Sequence, residues 1–134
     1  DARGAVFRPM IAGVGTDIAA VARLGQLYAR HGERALEKLL APAEMADFAR
    51  ASDPARFLAK RFAAKEAFGK ALGIGVAKPA TLPNIAVEHD ALGKPSFSYA
   101  PELAQLLAER GLVAHLSISD EKEFALAFVV LEHA

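Results

Sequence analysis

The residues Phe124 to Leu131 form an unbroken apolar run of the kind that makes a strand, and both of its faces are apolar. Phe124, Leu126, Phe128 and Val130 fall on one side, and Ala125, Ala127, Val129 and Leu131 on the other. A strand wetted on one face alternates apolar with polar side chains, so this one is covered twice. Either it is a central strand covered by helices, or its second face meets another subunit. The run is far too short to cross a membrane, which takes about 18 apolar residues.

The composition sharpens the second possibility. Of the 71 hydrophobic residues that make up 53% of the chain, 30 are alanine. An alanine buries about one methyl group where a leucine contributes roughly 1.5–3 kcal/mol. A chain of about 150 residues hides only about 70% of its unfolded surface. A core shared with another subunit would supply the missing bulk.

Hydrophobic spacing lays out the elements. Met10 to Asp17 reads as a strand ending in the turn-like Gly15-Thr16-Asp17, followed by a helix over Ile18 to Arg30 with Ile18, Val21, Leu24, Leu27 and Tyr28 on its buried stripe. Helices are expected over Glu33 to Leu40 and Ala43 to Arg50. Ser52-Asp53-Pro54 is the cap and first turn of a long helix to Leu72. The second half reads as a hairpin (Asn84 to Asp90 with Pro95 to Tyr99), a helix (Pro101 to Arg110) and a second hairpin (Val113 to Ser119 with Glu123 to Glu132). With no repeat, linker or low-complexity tract, a single domain over residues 10–134 is expected. Some or all of residues 1–9 are expected to precede the native start at Met10.

The formal net charge is zero, which argues against bulk capture of nucleic acid or an anionic membrane. There is no cysteine, which excludes disulfides, thiolate chemistry and cysteine-ligated zinc. No signal peptide is recognisable, and a cytoplasmic protein is the expectation. Within the neutral total, residues 54–78 carry Arg56, Lys60, Arg61, Lys65, Lys70 and Lys78 against Glu66 alone. Any anion site is therefore local to this stretch.

Two carboxylates stand out. Glu66 shares a helix side with Phe62, Gly69 and Gly73, in a recess; Gly69 costs about 1 kcal/mol relative to alanine and wants a reason, a ligand or a backbone in close approach. Asp17 ends an apolar strand and reads either as an N-cap for the next helix or as half of a two-carboxylate magnesium site, whose shell is completed by water and phosphate oxygens. One aspartate, one glutamate and a cluster of cations suit a metal-assisted diphosphate site. His115 is an exposed strand histidine or a phosphate-binding group. The other three histidines have no paired ligand spacing.

Four segments in the right order carry a resemblance: Gly13-Val14-Gly15-Thr16-Asp17-Ile18, the helix Arg61-Phe62-Ala63-Ala64-Lys65-Glu66-Ala67-Phe68-Gly69-Lys70-Ala71-Leu72-Gly73, Leu92-Gly93-Lys94-Pro95, and His115-Leu116-Ser117-Ile118-Ser119. The chain resembles the holo-acyl-carrier-protein synthases, small 4′-phosphopantetheinyl transferases. The resemblance implies an α+β fold, an antiparallel sheet packed with helices, assembled as a homotrimer with active sites between subunits. It implies transfer of the phosphopantetheine arm of coenzyme A to a serine of acyl carrier protein, in fatty acid biosynthesis, leaving adenosine 3′,5′-bisphosphate.

By position, Asp17 and Glu66 would hold Mg²⁺, and Lys70 would neutralise the leaving diphosphate oxygen. Arg61, Lys65 and His115 would bind phosphates of coenzyme A, with Gly73 closing the helix motif and Gly93, Lys94 and Pro95 forming the adenine-side loop. Arg23, joined by Arg30 and Arg34, would contact the acidic carrier protein. Two positions depart from the family: Asp120 stands where many members have a second histidine, and Ala20 where an acidic residue is common. Rival readings are a non-catalytic coenzyme A or carrier-binding module of the same fold, and a metal-dependent phosphohydrolase.

Overall fold

The structure is a computed structural model that describes residues 10–134; the expected extension, residues 1–9, lies outside the described residues. In chain order the elements are β1 (Ile11–Ala20), α1 (Val21–His31), α2 (Glu33–Leu39), α3 (Met45–Ala49), α4 (Pro54–Leu72), β2 (Ile85–His89), β3 (Pro95–Tyr99), α5 (Pro101–Arg110), β4 (Leu112–Asp120) and β5 (Phe124–His133). Short 3₁₀ turns at Pro42–Glu44 and Leu82–Asn84 lead into α3 and β2. The strands form two antiparallel sheets, one ordered β1-β5-β4 and the other the β2-β3 hairpin. The fold is α+β, as the resemblance implied.

Helix α4 has the bounds that its end signals predict. Asp53 Oδ1 accepts the Arg56 backbone N–H at 3.1 Å, and Pro54 occupies the first turn, where its missing N–H costs nothing. Gly73 closes the helix in the left-handed conformation, φ 89°, and donates to the Gly69 carbonyl at 3.0 Å.

Strand β1 departs from the expectation. It continues past Asp17 to Ala20, because every residue from Gly13 to Ala20 has a partner on β5, ending with Ala20 opposite Phe124. Ile18 therefore lies on the sheet rather than on the buried stripe of α1, and the longer ladder outweighs the local turn signal of Gly15-Thr16-Asp17.

Helix α4 lies across β1 and β5. Its Ala59, Ala63, Ala64 and Ala67 are buried against the face of β5 formed by Ala125, Ala127, Val129 and Leu131. The alanines thus bring helix and sheet close together rather than leave the core thin. Two glycines of β1 complete the contact: a Cβ at Gly13 would stand 2.0 Å from the Ala71 carbonyl oxygen, and one at Gly15 would stand 2.1 Å from that of Ala67. Both clashes are with helix backbone, which cannot swing aside. Gly15→Ala is expected to lower stability by about 1–3 kcal/mol, the usual cost of overpacking, read as a lower urea midpoint at unchanged slope.

The other face of the sheet has no cover within the chain. Val14, Ile18, Phe124, Leu126 and Phe128 are between 40% and 60% exposed there. So β5 is central in its sheet, yet helices cover only one of its two apolar faces. The β2-β3 hairpin is seated on α4 by Phe68, whose ring packs 5.3 Å from that of Phe97 and 5.4 Å from that of Tyr99. No helix of the described residues is long and apolar enough to cross a membrane.

Candidate active site

The close contact of β1 with α4 brings Asp17 to the helix side that carries Glu66 and Lys70. Lys70 Nζ donates to the Thr16 carbonyl at 2.9 Å and to Asp17 Oδ1 at 3.2 Å. Asp17 caps nothing: α1 begins after Ala20, with no side-chain cap. Burial holds the Glu66 carboxyl above its usual range, and the neighbouring Asp17 charge adds to the rise against the opposing charges of Lys70 and Arg23. Arg23 stacks over the Phe62 ring at 5.4 Å, at the edge of the same cluster.

Two carboxylates that repel one another offer a pair of oxygen donors to a hard cation. Among the described residues no three His, Cys, Asp or Glu side chains are grouped to hold a metal ion, so a cation here would draw its other oxygens from water or substrate. The reason for Gly69 is internal. A Cβ there would stand 2.7 Å from the Gly75 carbonyl, and the Gly75 N–H donates to the Gly69 oxygen at 3.0 Å. The loop after α4 folds back on the helix at this point. Gly73 is first of all the cap of α4.

On the other side of β5 is a cavity of about 320 Å³, lined by Phe57, Lys60, Arg61, His89, Gly93, Pro95, Ile118 and Asp120. Its walls combine flat apolar groups with cations. Three of the residues assigned to coenzyme A from the resemblance, Arg61, Gly93 and Pro95, meet here. The loop is organised by Asp90, whose Oδ1 accepts the N–H groups of Leu92 and Lys94, each at 2.9 Å, while Gly93 turns the chain at φ 87°. The backbone N–H of Lys94 does most to hold the Asp90 carboxyl below its usual range. In contrast, burial and the charges of Arg61 and Lys60 push His89 down.

The expectation that Lys65 binds a ligand phosphate meets a different environment. Lys65 is 0% exposed, and its Nζ donates to Glu44 Oε1 at 2.5 Å and to the Leu39 carbonyl at 2.7 Å. It lies one residue from Glu66, about 100° around the helix, and so points into the protein while Glu66 points out. Arg61 is shared: its Nη1 donates to Glu44 Oε2 and to the Val87 carbonyl, each at 2.9 Å, and its guanidinium stacks on Phe57 at 4.3 Å beside the cavity. Burial pushes the Lys65 amine down to about 8, against the opposing pull of Glu44.

Glu44, an acid in a short turn with no motif around it, also accepts the N–H groups of Ala41 and Val87, each at 2.9 Å. It joins the 3₁₀ turn, α4 and β2 through one buried carboxylate. His115 lies away from both clusters, on β4, with Nε2 2.7 Å from Glu132 Oε1.

The family model described as "4′-phosphopantetheinyl transferase superfamily" matches residues 13–129. The chain belongs to the 4′-phosphopantetheinyl transferase superfamily. A holo-[acyl-carrier-protein] synthase of Dechloromonas aromatica is 64% identical over 125 residues, which cover 93% of this chain and 100% of the relative. The solved holo-[acyl-carrier-protein] synthase of Neisseria meningitidis superposes with a TM-score of 0.89 at 47% identity, over 92% of this chain and 99% of that one. A Bacillus anthracis holo-(acyl-carrier-protein) synthase, solved in complex with CoA (3′,5′-ADP), has a TM-score of 0.79 at 35% identity, covering 94% and 100% of the two chains.

For a member of this superfamily, the separation of the two clusters is informative. Asp17, Glu66 and Lys70 gather at β1, and the basic cavity opens at β4, with β5 between them.

Proposed function

We propose that this chain is a magnesium-dependent holo-acyl-carrier-protein synthase of fatty acid biosynthesis, acting in the cytoplasm. It moves the 4′-phosphopantetheine group of coenzyme A to a serine hydroxyl of apo acyl carrier protein and releases adenosine 3′,5′-bisphosphate. The observation that carries this reading is the Asp17, Glu66 and Lys70 cluster, in a chain 64% identical to a holo-[acyl-carrier-protein] synthase.

Asp17 and Glu66 would hold Mg²⁺. When bound, the ion polarises the phosphorus under attack and offsets charge on the leaving phosphate. The serine oxygen forms the new P–O bond, its proton passes to a nearby base, and the bond to the leaving diphosphate oxygen breaks. Lys70, half exposed beside Asp17, meets the charge that develops on that oxygen. Arg61, Gly93 and Pro95 hold the nucleotide end of coenzyme A in the basic cavity, Lys94 reaches it from the same loop, and His115 adds a phosphate contact from a neighbouring copy.

Two observations support a homotrimer. The bulky face of the sheet is bare, and the carboxylates and the cavity lie on opposite sides of β5. A homotrimer covers the first and joins the cavity of one copy to the carboxylates of the next. Light scattering is expected to report three times the 14.2 kDa subunit mass, and Phe128→Glu, which puts a charge on that face, is expected to leave single subunits.

The carrier would dock on α1 and α2, where Arg23, Arg30 and Arg34 are exposed. A groove of about 420 Å³ there has Leu27, Ala35, Leu39 and Leu82 as its floor, with His31, Arg34 and Lys38 along it. An apolar floor with a basic rim suits an acidic helical partner. The test is incubation with apo carrier protein, coenzyme A and Mg²⁺. A mass gain equal to phosphopantetheine is expected on the carrier; no gain across several carriers would overturn the assignment.

A further inference from the structure

Asp120 puts a carboxylate at the wall of a cavity whose other charged groups, Lys60 and Arg61, are cationic. A site for a phosphate-bearing ligand gains nothing from a bare negative charge at its wall. Asp120 is not bare. Its Oδ2 accepts Arg56 Nη1 at 2.9 Å, and the same guanidinium donates to the Glu121 carbonyl at 2.6 Å and to the Lys122 carbonyl at 3.2 Å. Arg56 is braced from behind by Asp53, which accepts its Nε at 3.3 Å. One side chain at the start of α4 therefore neutralises Asp120 and holds the whole β4-β5 turn by its backbone.

The Arg56 and Asp120 side chains are only 27% and 32% exposed, so water screens their charges incompletely. Their placement matters more than their strength, because the cavity is where the charge of Asp120 would be felt. We propose that Arg56 is a positioning residue for the donor nucleotide: it cancels the Asp120 charge at the wall of the phosphate-binding cavity. The inference rests on the reading of that cavity as the coenzyme A nucleotide site. Lys60 then acts on the ligand phosphates with no bare carboxylate beside it, next to the Arg61 guanidinium that Glu44 holds in place.

Charge cancellation makes a signature that loss of a structural brace would not. In Arg56→Gln the freed Asp120 repels the donor in proportion to its phosphate charge. The KM for coenzyme A is expected to rise about tenfold with kcat nearly unchanged. The rise should be smaller for dephospho-coenzyme A, which has one phosphate group fewer. Adding Asp120→Asn to Arg56→Gln is expected to restore the KM without restoring the brace.

An unchanged KM, an equal rise for both donors, or no recovery in the double variant would each overturn the proposal. Calorimetric binding of coenzyme A to the same variants, without carrier protein, reads the same comparison. Should transfer be absent in the parent chain, the function assigned above fails, and the binding series still decides the role of Arg56. Failure of the parent chain to bind coenzyme A in that calorimeter overturns the inference as well.

Discussion

Glu66→Gln is expected to transfer phosphopantetheine at least about a hundredfold more slowly than the parent chain, with its circular dichroism and the light-scattering mass of its assembly unchanged. The physical reason for both halves is the same. Burial and the charge of Asp17 already hold the Glu66 carboxyl above its usual range, so its ionised form is under electrostatic strain in the fold. Glutamine keeps the shape and removes that strain, so folding loses nothing. What it removes is the second anionic oxygen donor of the pair with Asp17, and with it the tight hold on a divalent cation.

Asp17→Asn tests the partner. It weakens the contact with Lys70, a pair with one half-exposed member that contributes little to stability. Activity again falls while the fold persists. Undiminished turnover in both variants would show that the cluster does no chemistry.

The second large effect is on stability. Glu44→Gln is expected to cost about 3–5 kcal/mol, because it leaves Lys65 and Arg61 as buried cations without their carboxylate. For a domain of this size the melting temperature falls by on the order of 10 °C or more. Adding Lys65→Met, which takes one of the two orphaned charges away, should recover part of the loss.

The pH dependence has a definite sign. Lys65 in the fold titrates near 8, below its ordinary 10.5, because burial disfavours the charged form. Loss of Glu44 lowers it further, since that carboxylate was the group opposing the shift. At pH below 8 the parent keeps its lysine charged and paired, and the variant must either discharge it or bury it alone. Above pH 8 the amine is neutral in both, and its share of the deficit disappears. The gap in melting temperature should therefore narrow as pH rises through 8, leaving the share due to Arg61. A gap that stays constant from pH 6 to 9 would rule out Lys65 as its source.

Several parts of this protein are legible without coordinates. The bounds of α4 follow from Asp53-Pro54 at one end and Gly73 at the other, because helix ends are set by local hydrogen-bond needs. The hairpins, and α5 from Pro101 to Arg110, are local in the same sense. The motif order from Gly13 to Ser119 marks Asp17, Glu66 and Lys70, and the structure gathers Asp17 and Lys70 within 3.2 Å with Glu66 alongside.

What local reading misses is non-local. The extension of β1 to Ala20 depends on partners more than a hundred residues away on β5. The inward turn of Lys65 depends on Glu44, 21 residues earlier, for which the sequence offers no signal beyond an acid beside a turn. The bracing of Asp120 by Arg56 spans 64 residues. Asp90 carries a local signal: an aspartate three residues before a glycine is a common turn organiser, and here it shapes the loop at Gly93.

The two-faced apolar strand shows the same division. Its sequence made both faces apolar, and each is costly to leave in water. Only the tertiary structure decided which of them a helix covers. The alanine face of β5 admits α4 at close range because Gly13 and Gly15 have no Cβ, and the face with Phe124, Leu126 and Phe128 is bare in the single chain. Periodicity records that a face is apolar; which element reaches it is settled by the paths of distant segments through space.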